Sequence, residues 1–339
     1  MKNKIFTNTI FVTLAALLCC ALWGSATPFI KIGYTLMLPE KDVASTILFA
    51  GIRFTLAGIL TVLIYSIARK KFLYPKRTNI LRVLKVASFQ TVIQYIFFYI
   101  GLANTTGVKG TIASGSNAFF SILVASLIFK QEKLTLKKIF ACIVGFAGII
   151  IINLNGLELN INFFGDCFVL FSAISYAVSS VLIKRYSEFE DPVILSGYQF
   201  IAGGIFMVLA GVIFGGAVDI SSVQSVCVLL YLALLSAVAY SLWGVLLAHN
   251  PVSKVTVFSF MIPVFGVFLS ALLLNNEQAN IPPTVNIIIT LILISVGIIT
   301  LNAKNPNKNL LIEQLKKCDD SHFFIVLKQI TMTSCSCQR

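Results

Sequence analysis

The sequence predicts an all-α integral membrane protein of ten transmembrane helices, arranged as two inverted-topology five-helix repeats. Three observations predict it. The composition is too apolar for a water-facing surface, ten charge-poor runs have the length of a membrane-crossing helix, and the second half repeats the first after an odd number of runs.

Of 339 residues, 58% are hydrophobic and 12% charged, against roughly 45–50% and about 25% in soluble domains. So few charges cannot cover a surface in water, so the solvent around the chain is mostly lipid. The net charge of +13 raises nucleic acid as a partner. The Lys and Arg residues, however, lie in short loops between apolar runs, which is membrane topology, and no nucleic-acid partner is expected. Cys19, Cys20, Cys142, Cys167 and Cys227 lie in apolar runs and are expected to pack as small hydrophobes. Cys318, Cys335 and Cys337, with His322 beside them, fall in a solvated tail and form only a weak metal signal, so no metal and no cofactor is expected. Lys2 and Lys4 ahead of an apolar run resemble a signal peptide, but no charge follows until Lys31. That gap exceeds an h-region of about 7–15 residues and suits a spanning helix.

The charge-poor runs fall at 8–30, 44–68, 84–104, 108–129, 138–154, 165–184, 193–215, 224–247, 252–274 and 284–302. Each is long enough for a helix to cross about 30 Å of hydrocarbon. Backbone polar groups in lipid must be satisfied within the segment, which leaves helices or a closed barrel. A barrel needs period-two alternation, and Ile149-Ile150-Ile151-Ile152 does not alternate. With the N-terminus inside, the inner segments hold 22 of the 26 basic residues, and the outer ones only Lys31, Lys41 and Lys109. The segment from Arg69 to Lys85 is the strongest anchor. Both termini are therefore expected in the cytoplasm of a multi-pass cell-membrane protein.

The halves align. Segments 98–132 and 243–277 match at an offset of 145, pairing Lys109 with Lys254 and Glu132 with Glu277. Gly51, Phe54 and Gly58 meet Gly197, Phe200 and Gly204 at 146; Trp23 and Lys31 meet Tyr176 and Lys184 at 153; Gly148 and Asn153 meet Gly297 and Asn302 at 149. The expected division is 1–154, 155–303 and a cytoplasmic tail, 304–339. Five is odd, so the second copy enters the membrane from the opposite side, as in alternating-access carriers. A duplicated scaffold without transport is the alternative.

On these motifs the sequence resembles the EamA-type branch of the drug/metabolite transporter superfamily. They are Leu22-Trp23-Gly24-Ser25, Ile52-Arg53-Phe54, Ile262-Pro263-Val264-Phe265, Phe129-Lys130-Gln131-Glu132 with its partner Leu274-Asn275-Asn276-Glu277, and Gly165-Asp166. The resemblance covers about residues 8–303. It implies a ten-helix carrier of inverted repeats for amino acids, their derivatives or other small metabolites. Two departures stand out: Ala118 occupies the place of a family proline that Pro263 keeps, leaving open whether the fourth span kinks like the ninth, and Gln131 and Asn276 replace a glycine.

Arg53 is the one clear charge well inside a span, and an intramembrane charge is a functional candidate by default. Two readings stand. It binds a substrate carboxylate with its two-pronged donor, or, about 13 Å from the outer end at 1.5 Å per residue, it snorkels and bonds carbonyls. Gln199 stands near the matching position. Trp23, Tyr95, Tyr99, Asn117, Tyr176, Tyr240 and Trp243 complete the substrate-binding candidates, with Gln94 and Ser114 as further mid-span polar residues. For each, an interhelical contact competes with a cavity-lining role. Lys109, Glu132, Lys254, Glu277 and Pro263 are gate or helix-end candidates, and the duplication of the charges favours a role tied to the fold.

A secondary transporter for a small metabolite is thus expected, with amino acids or related compounds as the solute and export as the direction. Its partners are the small-molecule substrate and the bilayer, with a homodimer left open. No catalytic residue is assigned, because the chain carries two histidines, His249 and His322, and no H-E-x-x-H spacing. No G-x-x-x-x-G-K-[ST] run is present to use ATP. No Asp or Glu lies deep in a span, which weakens proton coupling and leaves Asp166 and His249 as the titrating groups near the surfaces. The alternative is a non-transporting scaffold or sensor that uses the basic tail, whose apolar clusters suit a surface helix.

Overall fold

The computed structural model describes residues 4–40, 42–104, 115–154, 162–273 and 283–302. Lys109, Ser114, Glu277 and the tail 304–339 lie outside the described residues. The described residues form helices and no strand. In chain order the helices are α1 (Thr9–Met37), α2 (Val43–Ala68), α3 (Arg77–Gly101), α4 (Asn117–Ile128), α5 (Leu136–Ile152), α6 (Phe163–Tyr186), α7 (Pro192–Ile213), α8 (Val223–His249), α9 (Val252–Leu273) and α10 (Thr284–Asn302). All but α4 and α5 are long and apolar enough to cross a membrane, and those two lie in the fourth and fifth charge-poor runs.

Local chemistry sets the helix ends. Asn8, Asp42, Asn162, Asp191 and Ser222 cap α1, α2, α6, α7 and α8 by accepting a backbone N–H from the first turn. Pro192 follows its cap at the first helical position, where a missing N–H costs nothing. Asp42 is held below its ordinary carboxylate value by hydrogen bonds from the Ser45 hydroxyl and then the Ser45 N–H. That cap is therefore intact above the carboxylate range and is lost as pH falls through the depressed pKa.

Helix α1 outruns its expected end at residue 30. It continues through exposed Lys31 to Met37 and stops where Leu38 turns extended ahead of Pro39. A lysine on an outer face can extend its ammonium to water without ending the helix, so the charge does not mark the helix end. The proline does, because its ring disfavours helical backbone at the preceding residue.

Three helices are irregular inside, and in α4 the residues Val124–Ile128 form a π turn. In α9 the residues Val257–Phe260 tighten to a 3-10 turn immediately ahead of Pro263, which has no N–H to give Ser259 and crowds that carbonyl. The matching turn of the fourth run lies outside the described residues, so the comparison with Ala118 stops there. In α3 the residues Ser88–Ile93 widen to a π turn, and the Ser175 hydroxyl of α6 donates to the Phe89 carbonyl within it at 2.6 Å.

Loop contacts sort the helix ends into two sets. At one end Asn250 Nδ2 donates to the Phe6 carbonyl, Asn79 Nδ2 to the Phe189 carbonyl and the Lys76 N–H to Glu190. There, too, Arg69 donates to the Tyr65 hydroxyl, which donates to Asp191. At the other end the Asp219 N–H meets the Met37 carbonyl and the Ala217 N–H meets Ser45 Oγ. Helix α1 starts at the first, basic end and α6 at the second, so the two halves run in opposite directions.

The halves also interleave. Helix α1 packs on α8 and α9 while its counterpart α6 packs on α3 and α4, so residues Met1–Leu301 form one compact unit. The central contact is α2 on α7. A Cβ on Gly51 would stand 3.0 Å from the Gly204 carbonyl, and one on Gly58 2.5 Å from that of Gly197. Because Gly51 matches Gly197 and Gly58 matches Gly204 in the repeat, a pseudo-twofold axis passes between these helices. Helices α5 and α10 repeat the pattern: the Thr290 hydroxyl donates to the Gly148 carbonyl at 2.9 Å, and a Cβ on Gly297 would stand 3.0 Å from the Ala141 carbonyl. Leu14, Leu18, Leu63, Ile67, Leu209 and Ile213 point outward. In water such a surface would aggregate; in hydrocarbon it carries no cost.

Candidate functional site

The site lies on the pseudo-twofold axis. Phe54 of α2 and its repeat mate Phe200 of α7 stack with ring planes 3° apart and centroids at 5.1 Å. Beside them Tyr95 of α3 and Tyr240 of α8 join hydroxyl to hydroxyl at 2.7 Å. These two tyrosines are also mates, at the offset of 145. Tyr95 leans on Phe54 at 4.5 Å and Tyr240 meets Phe200 edge-on at 4.8 Å, so four mated rings close around the axis. Trp23 of α1 adds edge contacts to Tyr240 and to Trp243, each at 5.0 Å.

Arg53 sits beside this cluster at 4% exposure, its guanidinium 4.4 Å from the Phe54 ring centroid. Tyr34 and Tyr95 pack in the same cluster as Tyr240. The Nε of Arg53 and the indole nitrogen of Trp23 are buried without a hydrogen-bond partner among the described residues. An unpaired buried donor costs roughly 1–3 kcal/mol, so two together mark a place where something else can bind.

Of the sequence candidates, the structure gathers Trp23, Arg53, Tyr95, Tyr99, Tyr240 and Trp243 here, with Tyr176 beside Trp243 and Tyr95. Gln199 is fully buried next to Phe200, but its Oε1 accepts from the Thr91 hydroxyl of α3 at 2.6 Å, an interhelical bond. Asn117 opens α4 half-buried and shares none of the ring contacts among the described residues. Three site residues went unlisted in the sequence. Tyr34 lies beyond the charge that was expected to end the first span, and Phe54 and Phe200 were matched in the repeat without being named for the site. The available signal was the repeat itself, since mated residues on an axis touch each other.

The helix-end candidates have their own arrangement. Glu132 accepts the hydroxyl and, at 3.3 Å, the N–H of Ser253 in the first turn of α9, and pairs with Lys138 at 2.8 Å. It therefore joins the end of the fourth run to the positive end of α9's dipole. Lys184 donates to the carbonyls of Leu247 and Asn250, the negative end of α8. Lys254 is half-buried in the first turn of α9.

The model of the EamA-like transporter family matches residues 10–154 and again 163–303, once per half. The chain belongs to the EamA-like transporter family. Among its relatives, the uncharacterized transporter YvbV of Bacillus subtilis is 24% identical over 302 residues, covering 84% of this chain and 89% of that protein. A protein of Escherichia coli named a probable amino-acid metabolite efflux pump is 26% identical over 279 residues, covering 78% and 88%. A crystal structure superposes with a TM-score of 0.68 at 14% identity, over 87% of this chain and 98% of that one, which shows a shared fold. This EamA-like transporter is a multi-pass membrane protein.

The tyrosine pair makes a testable unit. Tyr95→Phe or Tyr240→Phe alone strands one buried hydroxyl, whereas the double variant removes both. Each single variant is expected to lose about 1–2 kcal/mol, and the double no more than either. Thermal unfolding of the four proteins in liposomes measures the cycle, and additive losses would contradict it.

Proposed function

We propose that the chain is a secondary transporter that moves a small metabolite across the cell membrane by alternating access. The observation that carries this reading is the Tyr95–Tyr240 bond between repeat mates at the axis. A site shared by two inverted repeats opens to either face as one half rocks on the other, and the mated contacts allow the two states to be near mirror images. The halves, 1–154 and 155–303, are the two arms of that motion.

The solute is proposed to be an amino acid or related compound, moved outward. The name of the Escherichia coli relative and the aromatic, singly cationic site support this choice. The placement of both termini in the cytoplasm rests on the basic residues of the loops. No catalytic step is assigned to the chain; His249, at the end of α8, is bonded through Nδ1 to the Val245 carbonyl.

Purified full-length protein in liposomes loaded with unlabelled amino acids is expected to accumulate labelled amino acid by counterflow, saturably and without ATP. Absence of flux across the amino acids and their common derivatives would remove the proposed solute. Absence of flux for every metabolite tried would favour a scaffold.

A further inference from the structure

We propose that Arg53 is the anchor for a solute carboxylate, and that the site takes a small amphipathic monocarboxylate: the anionic end on the guanidinium, the apolar body against the rings. The transport part rests on the carrier reading; the binding part stands without it.

The first argument is the charge. Arg53 is buried to 4% exposure with no carboxylate partner among the described residues, and its Nε has no hydrogen bond. Its guanidinium lies over the face of the Phe54 ring. A buried ion kept without a partner is destabilising, and replacing it by an uncharged residue is commonly favourable.

The second argument is an internal control. The repeat offset of 146 places Gln199 at the equivalent position of the second half, flanked by Phe200 as Arg53 is by Phe54. There the same helix crossing is built with a neutral amide bonded to Thr91. The architecture therefore does not require a cation at this place, and Arg53 is the charge that one side of the axis carries and the other does not.

The third argument is the fit. A planar guanidinium presents paired N–H donors that match a carboxylate. Tyr34, Tyr95 and Tyr240 belong to the same ring cluster, and their hydroxyls can donate to an anion held there. The rings around them are apolar, which favours an organic anion over an inorganic one that would have to shed its water.

Both tryptophans of the chain, Trp23 and Trp243, belong to this cluster, so intrinsic emission reports on the site. Full-length protein in liposomes would be titrated to about 10 mM with leucine, leucinamide, hexanoate, hexanamide and inorganic phosphate. Leucine and hexanoate are expected to change the emission, and each amide to bind at least about tenfold more weakly, the loss of one charge-assisted bond. Phosphate is expected to be inert. Arg53→Gln, which copies the other half, is expected to erase the preference for acid over amide while keeping the fold. The same carboxylates should raise the Tm of the native protein and not that of the variant. Should Arg53→Gln fail to fold, Arg53→Lys keeps the charge without the fork and is expected to weaken both acids while retaining some preference.

Equal binding of acids and amides, a response to phosphate alone, or no response to any compound would overturn the proposal. So would an Arg53→Gln protein of lowered Tm that still prefers acids, since that is the signature of a structural arginine. A protein with the acid preference intact but no flux would overturn the carrier reading and leave the anion site standing.

Discussion

Gly58→Leu is expected to abolish the folded protein. A Cβ at residue 58 would lie 2.5 Å from the Gly197 carbonyl oxygen and 2.7 Å from the Ile201 nitrogen, both backbone atoms. Side chains can rotate away from an intruder, but two helix backbones must separate bodily. Separation here would open the α2–α7 contact on which the pseudo-twofold axis lies, and with it the Phe54–Phe200 stack. Overpacking ordinarily costs about 1–3 kcal/mol, and more where nothing can yield. That is a large part of the 5–15 kcal/mol a protein has in all. In bilayers, where helices associate through close packing rather than hydrophobic exclusion, the loss is less easily made up. Gly266→Ala is the matched control: its nearest neighbour would be Thr27 Oγ1 at 3.6 Å, an ordinary contact. The yield of monodisperse protein and its thermal unfolding measure both, and a well-folded Gly58→Leu protein would show that α2 and α7 do not pack this way.

The second large effect is expected at Glu132. Glu132→Ala removes the acceptor for the Ser253 hydroxyl and N–H and leaves Lys138, whose side chain is only 14% exposed, with the Lys133 carbonyl in place of a carboxylate. Breaking one member of a buried ion pair costs about 3–5 kcal/mol; with Lys138 partly able to reach water, a loss of about 2–3 kcal/mol is expected. Because Glu132 ties the first half to the start of α9, the loss should appear as easier opening of the basic end. Hydrogen exchange at 252–256 would read that opening directly. Glu132→Gln keeps one acceptor for Ser253 and should recover part of the loss. Unchanged exchange in Glu132→Ala would make the pair a surface ornament.

These two residues show how unevenly the sequence discloses its structure. The pairing of Gly51, Gly58, Gly197 and Gly204 is legible at a constant offset, and so is the inversion of the halves, since five spans per copy leave no other choice. That α2 and α7 touch through those glycines is not written there. Glu132 reads only as a charge at a span end, open to gating, anchoring or capping; its partners Ser253 and Lys138 settle its bonding, and Ser253 lies 121 residues away. Arg53 is conspicuous from composition alone, yet Tyr34 is hidden because a lysine three residues earlier looks like the end of the membrane.

By itself, then, the sequence determined the lipid setting, the charge-poor runs, their alternating sense and the twofold repeat, because hydrophobicity and charge are summed along the chain and need no partner. Only the tertiary structure decided which faces meet: Tyr95 with Tyr240, Phe54 with Phe200, α1 on α8 and α9, and Arg53 among the rings. The reason is physical. A helix in water shows its buried face as an apolar stripe, but a helix in hydrocarbon is apolar all round, so its packing face leaves no such mark. What remains to choose the face is the fit of glycines, rings and a few polar groups against helices distant in sequence.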